Sequence, residues 1–226
     1  PYIRPGGPPP GLMNEGGVLG NYRITSNVMG LWLVQECRRT WAAQGHEYGF
    51  DELAQMAAQG PPLAAFVDPN DSRFLAPGDM PGRVQAYCRE TGQAVPQDRA
   101  GILRCILEGL ALRYRYGAEA VEAAAGRELR TIHLVGGGAQ NGLLCQLTAD
   151  ATGRPVVCGP VEATACGNVI MQAVGLGDLA SVQEGRELVR AATTLHTYEP
   201  DLRARDAWEA AYGRFVTQLR RASQTT

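Results

Sequence analysis

Three consecutive glycines at positions 136–138 are the part of this chain best suited to chemistry. They follow a β-branched, apolar run at 131–135, which predicts a strand, and they precede a helical pattern that opens at 140–141. Glycine has no Cβ, so the chain can take positive φ and a flat or charged ligand can approach the backbone closely. Free N–H groups at the start of the helix suit a phosphate. The pattern favours ligand binding, although glycine turns of this kind also occur in α/β domains that bind nothing.

A second strand, turn and helix follow at 155–158, 159–164 and beyond, and two such units side by side favour a nucleotide cleft. The dinucleotide fingerprint fits poorly, because Asn141 stands where the third glycine should be. A Walker A loop is excluded, since all 21 basic residues are arginine and the motif requires lysine. The same absence excludes Schiff-base chemistry on a lysine.

Composition indicates a globular domain with one sizeable core, at 226 residues and 45% hydrophobic content. The net charge of −2 and the scattered arginines argue against a nucleic-acid partner. No apolar stretch approaches the roughly 20 residues of a membrane span, and the N-terminus lacks the pattern of a signal peptide. Six cysteines without CxxC spacing and three histidines make a poor metal site. We therefore expect a cytoplasmic protein that has no protein-bound metal and does not contact membranes.

Proline, glycine and helix-capping residues mark the boundaries of the predicted segments. Residues 1–12 are rich in proline and glycine and read as a tail or linker. Short strands are expected at 17–25, followed by a helix from about 27 to 44 in which Asn27 is the N-cap and Gln35 lies near the same face. Residues 60–79 read as a long surface loop. Further helices are predicted at 51–59, 81–90, 98–124, 181–192 and 201–222.

One segment, residues 135–168, has the sequence VGGGAQNGLLCQLTADATGRPVVCGPVEATACGN. It resembles the C-terminal, nucleotide-binding half of the FGGY family of carbohydrate kinases, and within it the rhamnulokinase branch. Upstream motifs of the same branch stand at 13–17, 27–37, 66–74, 88–93 and 110–114, so the resemblance runs from about 13 to about 215. It implies an α/β domain of the ribonuclease H-like, actin-like ATPase type with a helical insertion, occupying residues 13–222. Periodicity alone predicts only α/β.

The resemblance also implies the cofactors ATP and Mg²⁺ and assigns roles around the glycine turn. Gly137 would pack its backbone on ATP, while Gly136, Gly138 and Asn141 would shape the turn, with Asn141 able to reach the base or cap the helix. Structural alternatives remain, because Gly136 and Gly138 could be turn formers only.

Three further assignments rest on the same resemblance. Gln35 corresponds to a second nucleotide contact and Asn27 to the one sugar contact donated by this half, although they could equally be a solvated helix residue and a helix cap. Cys88 and Cys105 could face each other and form a disulfide, or remain two free thiols in a reducing cytosol.

In the family, the sugar-binding domain and the catalytic aspartate lie upstream of the position corresponding to Met13. We therefore expect this chain to be the ATP-binding half of a kinase that converts L-rhamnulose to L-rhamnulose 1-phosphate. It would be inactive alone and would contact the sugar only with the missing N-terminal domain. Two alternatives remain open: a stand-alone nucleotide-binding or regulatory module, and an interaction domain without nucleotide.

Overall fold

The computed structural model describes residues 11–224, with side chains described as far as residue 222. Most of the tail predicted at 1–12 thus lies outside the described residues. Eight α-helices are present in the described part: α1 (Trp32–Ala43), α2 (Phe50–Ala58), α3 (Met80–Glu90), α4 (Arg99–Ala125), α5 (Gly142–Thr152), α6 (Ala163–Leu176), α7 (Val182–Ala192) and α8 (Arg205–Gln224).

The strands form two small sheets. An antiparallel hairpin joins β1 (Met13–Gly16) to β2 (Tyr22–Thr25), with Met13 opposite Thr25. The second sheet has the order β3-β4-β5. In it β3 (Ile132–Leu134) runs parallel to β4 (Val156–Cys158), and β5 (His196–Tyr198) runs antiparallel to β4. The predicted strand–helix–strand–helix order is confirmed by β3, α5, β4 and α6, whereas β5 is not predicted by the sequence.

Helix α4 is the centre of the main hydrophobic core. Asp98 caps it, accepting a hydrogen bond from the N–H of Gly101 at 2.7 Å, and Gly126 ends it in the left-handed conformation. Ile106, Leu110 and other side chains along its first half are fully buried and pack against α2 and α5. The sheet therefore rests on α5, and α5 rests on α4.

Helix α1 starts later than the sequence predicts. It begins at Trp32, because Gly30 takes a left-handed φ of 65° and interrupts the helical backbone before it. Asn27 consequently lies outside the helix, and the prediction that it is the N-cap is wrong.

Residues 60–79 lack regular structure apart from one 3₁₀ turn, Ser72–Phe74. The parts at 61–62 and 75–79 are exposed, as predicted for a surface loop, but the middle of the range is largely buried. Phe66, Val67 and Phe74 are fully buried in the main core. For this middle part the prediction of a surface loop is wrong, because its backbone polar groups find partners: the side-chain amide of Gln93 bonds both the N–H and the carbonyl of Phe66 at 3.0 Å. We call residues 65–74 the buried loop.

Candidate functional site

A cavity of about 450 Å³ opens between helices α1, α2 and α4 and the turn that follows β3. Its lining is mostly apolar, with a few polar groups, which is the composition of small-molecule sites in general. Four of the residues predicted from the sequence are brought together in this lining, namely Gln35, Gly137, Gly138 and Asn141. Gly136 and Asn27 lie outside it.

The glycine turn takes its shape from Gly136, which has φ 76° and ψ −165°. A residue with a Cβ would be strained in this backbone conformation. Its N–H donates to the carbonyl of Pro160 at 3.3 Å, which fastens the turn to the segment after β4. Gly137 then starts a 3₁₀ turn, Gly137–Gln140, that separates β3 from α5. A Cβ added at Gly137 would meet no atom within 4 Å, so the space beside this backbone is open.

Asn141 is the N-cap of α5. Its side-chain oxygen accepts a hydrogen bond from the N–H of Leu144 at 2.9 Å, so the predicted capping role is confirmed. Asn141 also lines the cavity.

Gln35 lies in the first turn of α1 with an exposed side chain at the edge of the cavity. It lines the same cavity as the glycine turn, although the two are about a hundred positions apart in the chain. Asn27 is exposed as well, and the chain reaches the cavity lining three residues later, at Gly30 and Leu31.

Helices α2 and α4 supply walls that the sequence does not identify as part of a site. Phe50 and Asp51 come from the start of α2, and Leu107 and Tyr114 come from α4. Burial raises the pKa of Tyr114 to about 12, so its hydroxyl remains a hydrogen-bond donor at neutral pH. The helical spacing of these residues predicts burial but not a cavity.

Cys88 and Cys105 face each other across α3 and α4, as the sequence predicts, with their Sγ atoms 3.7 Å apart. Both are buried free thiols in this structure. The hydrogen bond with Cys88, together with burial, raises the pKa of Cys105, so this thiol stays protonated.

Across residues 11–224, no group of three or more His, Cys, Asp or Glu side chains is placed to hold a metal ion. None of the helices in this same part of the chain combines the length and apolar character needed to cross a membrane.

Comparison with known proteins connects this geometry to a family. Residues 7–176 match the C-terminal domain of the FGGY family of carbohydrate kinases. The chain belongs to this family. Xylulose kinase from Rhodospirillum rubrum superposes with a TM-score of 0.66 at 20% identity, over 96% of this chain and 43% of that one, which confirms the actin-like ATPase fold.

Two rhamnulokinases are similar in sequence along nearly the whole chain. The one from Bacteroides thetaiotaomicron is 44% identical over 207 residues, and one from Klebsiella pneumoniae is 40% identical over 210. In both cases the match covers 92% of this chain and 41% of the relative. The chain thus spans about two fifths of the length of the rhamnulokinases it matches.

Proposed function

We propose that this chain is the ATP-binding half of a sugar kinase that transfers the γ-phosphoryl group of ATP to L-rhamnulose. The observation that carries the proposal is the cavity that joins Gln35, Gly137, Gly138 and Asn141 in an FGGY C-terminal domain. The open backbone at Gly137 offers a flat surface to a base or phosphate, and the apolar walls suit the faces of an adenine ring.

In this proposal Tyr114, Gln35 and Asn141 supply the hydrogen bonds that orient the nucleotide, since all three line the cavity. Mg²⁺ would be held chiefly by the phosphate oxygens of ATP, as is usual for kinases, because the described residues provide no metal-binding cluster of their own. Mg²⁺ held in this way would supply positive charge against the phosphates of ATP.

In this proposal the sugar site and the catalytic base come from the part of the matched rhamnulokinases that these 226 residues do not span. The support is that the rhamnulokinases it resembles are more than twice as long, and that the one carboxylate in the cavity lining is the exposed Asp51 at the start of α2. We therefore propose that the chain alone binds ATP without phosphorylating a sugar. We propose L-rhamnulose as the acceptor, and not another sugar, because the similar sequences are rhamnulokinases.

Calorimetric titration with Mg-ATP tests the nucleotide site. We expect binding to the unmodified chain and an affinity at least about tenfold lower for Gly137→Leu, a loss of about 1.4 kcal/mol or more. Gly213→Leu is the matched control, because a Cβ there also meets no atom within 4 Å and the residue lies on α8, away from the cavity. An unmodified chain that gives no binding heat, or a Gly137→Leu chain that binds like the control, would refute the assignment.

Addition of a second domain tests the proposal that this chain phosphorylates a sugar only together with a sugar-binding domain. The chain is mixed with, or fused to, the N-terminal part of the B. thetaiotaomicron rhamnulokinase, and ADP release is measured with L-rhamnulose, D-xylulose and glycerol. We expect ADP release only in the combined protein and with L-rhamnulose, whose site the added rhamnulokinase part supplies, while D-xylulose and glycerol serve as controls for that part. ATP binding without ADP release in any combination would favour a non-catalytic nucleotide-binding module instead.

A further inference from the structure

The side-chain amide of Asn70, in the buried loop, holds the segment that carries Asn27. Its Nδ2 donates to the backbone carbonyl of Asn27 at 2.8 Å, and its Oδ1 accepts from the N–H of Met29 at 3.0 Å. One rigid planar group therefore fixes two backbone positions of the same segment at once. We call this arrangement the amide clamp.

The clamp is mounted on a rigid support. The N–H of Asn70 donates to the carboxylate of Asp68 at 3.1 Å, and that carboxylate lies 3.6 Å from the guanidinium of Arg113 on α4. Burial raises the pKa of Asp68 while the charge of Arg113 opposes this shift, as expected of a carboxylate held in a largely buried position. Val67 lies directly against α4 at Gly109, where an added Cβ would be 3.0 Å from the Val67 nitrogen. The contacts of Asp68 and Val67 with α4 thus fix the position of Asn70 relative to the central helix of the core.

The same loop also fixes the other end of the segment. The indole Nε1 of Trp32, the first residue of α1, donates to the carbonyl of Phe74 at 3.0 Å. Between the two attachment points, Gly30 and Leu31 line the cavity. Residues 27–32 are therefore held at both ends by one loop.

We propose that Asn70 is the positioning residue that orients Asn27 toward the sugar in the assembled kinase. The inference rests on the proposed function, because Asn27 is assigned to the sugar through the family resemblance. Asn27 is exposed and lies outside helix α1, so regular secondary structure does not set its direction. The amide clamp supplies that orientation, and ordering a contact before the ligand arrives lowers the entropy lost on binding.

The first test uses the 226-residue chain itself and follows hydrogen exchange of the Met29 amide by NMR. Asn70→Ala should accelerate this exchange roughly tenfold, since the amide loses its hydrogen-bond acceptor. Asp71→Ala is the matched control, because it removes a carboxylate from the neighbouring residue of the same loop, and that carboxylate accepts its hydrogen bonds from the N–H and Nε of Arg73. Should Asn70→Ala fail to fold, Asn70→Leu, which is close to asparagine in shape, removes the same two hydrogen bonds and should accelerate Met29 exchange in the same way. Equal Met29 exchange in the Asn70 variant and the control overturns the clamp.

The second test measures kinetics in the fusion with the rhamnulokinase N-terminal part. Asn70→Ala should raise KM for L-rhamnulose about tenfold, equivalent to about 1.4 kcal/mol, and leave KM for ATP within about twofold. In a background of Asn27→Ala the Asn70 substitution should add no further effect on the sugar KM, because it acts through Asn27. A parallel rise in both KM values, or full additivity with Asn27→Ala, overturns the proposed role.

The two failures are distinguishable. A fusion that stays inactive with the unmodified chain counts against the proposed function, whereas the exchange of the Met29 amide decides on the clamp without any turnover. Slow Met29 exchange in the unmodified chain that persists in Asn70→Ala counts against the clamp even where the fusion is active.

Discussion

Substituting Gly109 by alanine tests how closely the buried loop packs on α4. Gly109 is fully enclosed in the middle of this helix, and a Cβ there would lie 3.0 Å from the Val67 nitrogen, 3.2 Å from its carbonyl carbon and closer still to its carbonyl oxygen. All three are backbone atoms, so no side chain can rotate away. The loop itself has to move, and the loop carries both the buried Phe66 and the amide clamp.

The magnitude follows from two opposed effects. Overpacking a well-packed core costs about 1–3 kcal/mol, while alanine is better than glycine inside a helix by about 1 kcal/mol. Because the clash involves rigid backbone, the upper part of the overpacking range applies, and the net loss is about 2 kcal/mol. For a chain of this size such a loss lowers the melting temperature by roughly 4–8 °C.

Gly117→Ala in the same helix is the matched control. The nearest atom to its added Cβ is the Ser26 Cβ at 4.0 Å, so only the helix-propensity gain of about 1 kcal/mol remains. Thermal and urea unfolding of the two variants should therefore shift in opposite directions. If Gly109→Ala is as stable as Gly117→Ala, the buried loop does not lie against α4, and the support described for Asn70 is wrong.

Three further outcomes are expected. Asn141→Ala should lower the free energy of unfolding by about 1 kcal/mol through loss of the α5 cap, whereas Asn141→Ser should retain most of it, as urea titrations would show. Burial raises the pKa of Glu108 above its ordinary 4.5, so its contribution to stability is present below that pH and is lost as the pH rises through the raised value. Glu108→Gln should flatten that decline in unfolding measurements across pH. Alkylation of the native reduced chain should spare Cys88 and Cys105 until it is unfolded, and a native mass two hydrogens lighter would instead reveal a disulfide.

Much of the fold is predictable because its signals are local. Asp98 and Ser181 stand at helix starts and cap α4 and α7 as their residue types indicate. The glycine turn between β3 and α5 is read from three adjacent residues in the same way. Strand β5 escapes prediction because His196–Tyr198 is too short to show an alternating pattern and depends on pairing with β4.

The candidate site is only half predictable, for a physical reason. Gly137 and Asn141 can be predicted because a glycine turn and a helix cap are recognised within one short segment of sequence. Phe50 and Tyr114 do not, because an apolar residue that lines a cavity has the same periodicity as one that fills a core. The burial of Val67 gives no local signal either, since its backbone lies against Gly109, some forty positions later, where there is no side chain.

Helix α4 contacts both the loop that positions the proposed sugar contact, Asn27, and the cavity proposed to bind the nucleotide. Arg113 approaches the Asp68 carboxylate, which supports the amide clamp and so Asn27, and the next residue, Tyr114, lines the cavity beside the glycine turn. Adjacent residues on a helix point about 100° apart, so this one turn of α4 reaches both regions from different faces. A displacement of α4 would therefore move the sugar contact and the nucleotide walls together. Loss of the clamp alone would release residues 27–29, while Gly30 and Leu31 stay attached to the loop through the bond from Trp32 to Phe74. This difference is why a selective rise in the sugar KM identifies Asn70 as a positioning residue, and why a joint rise would point to α4 instead.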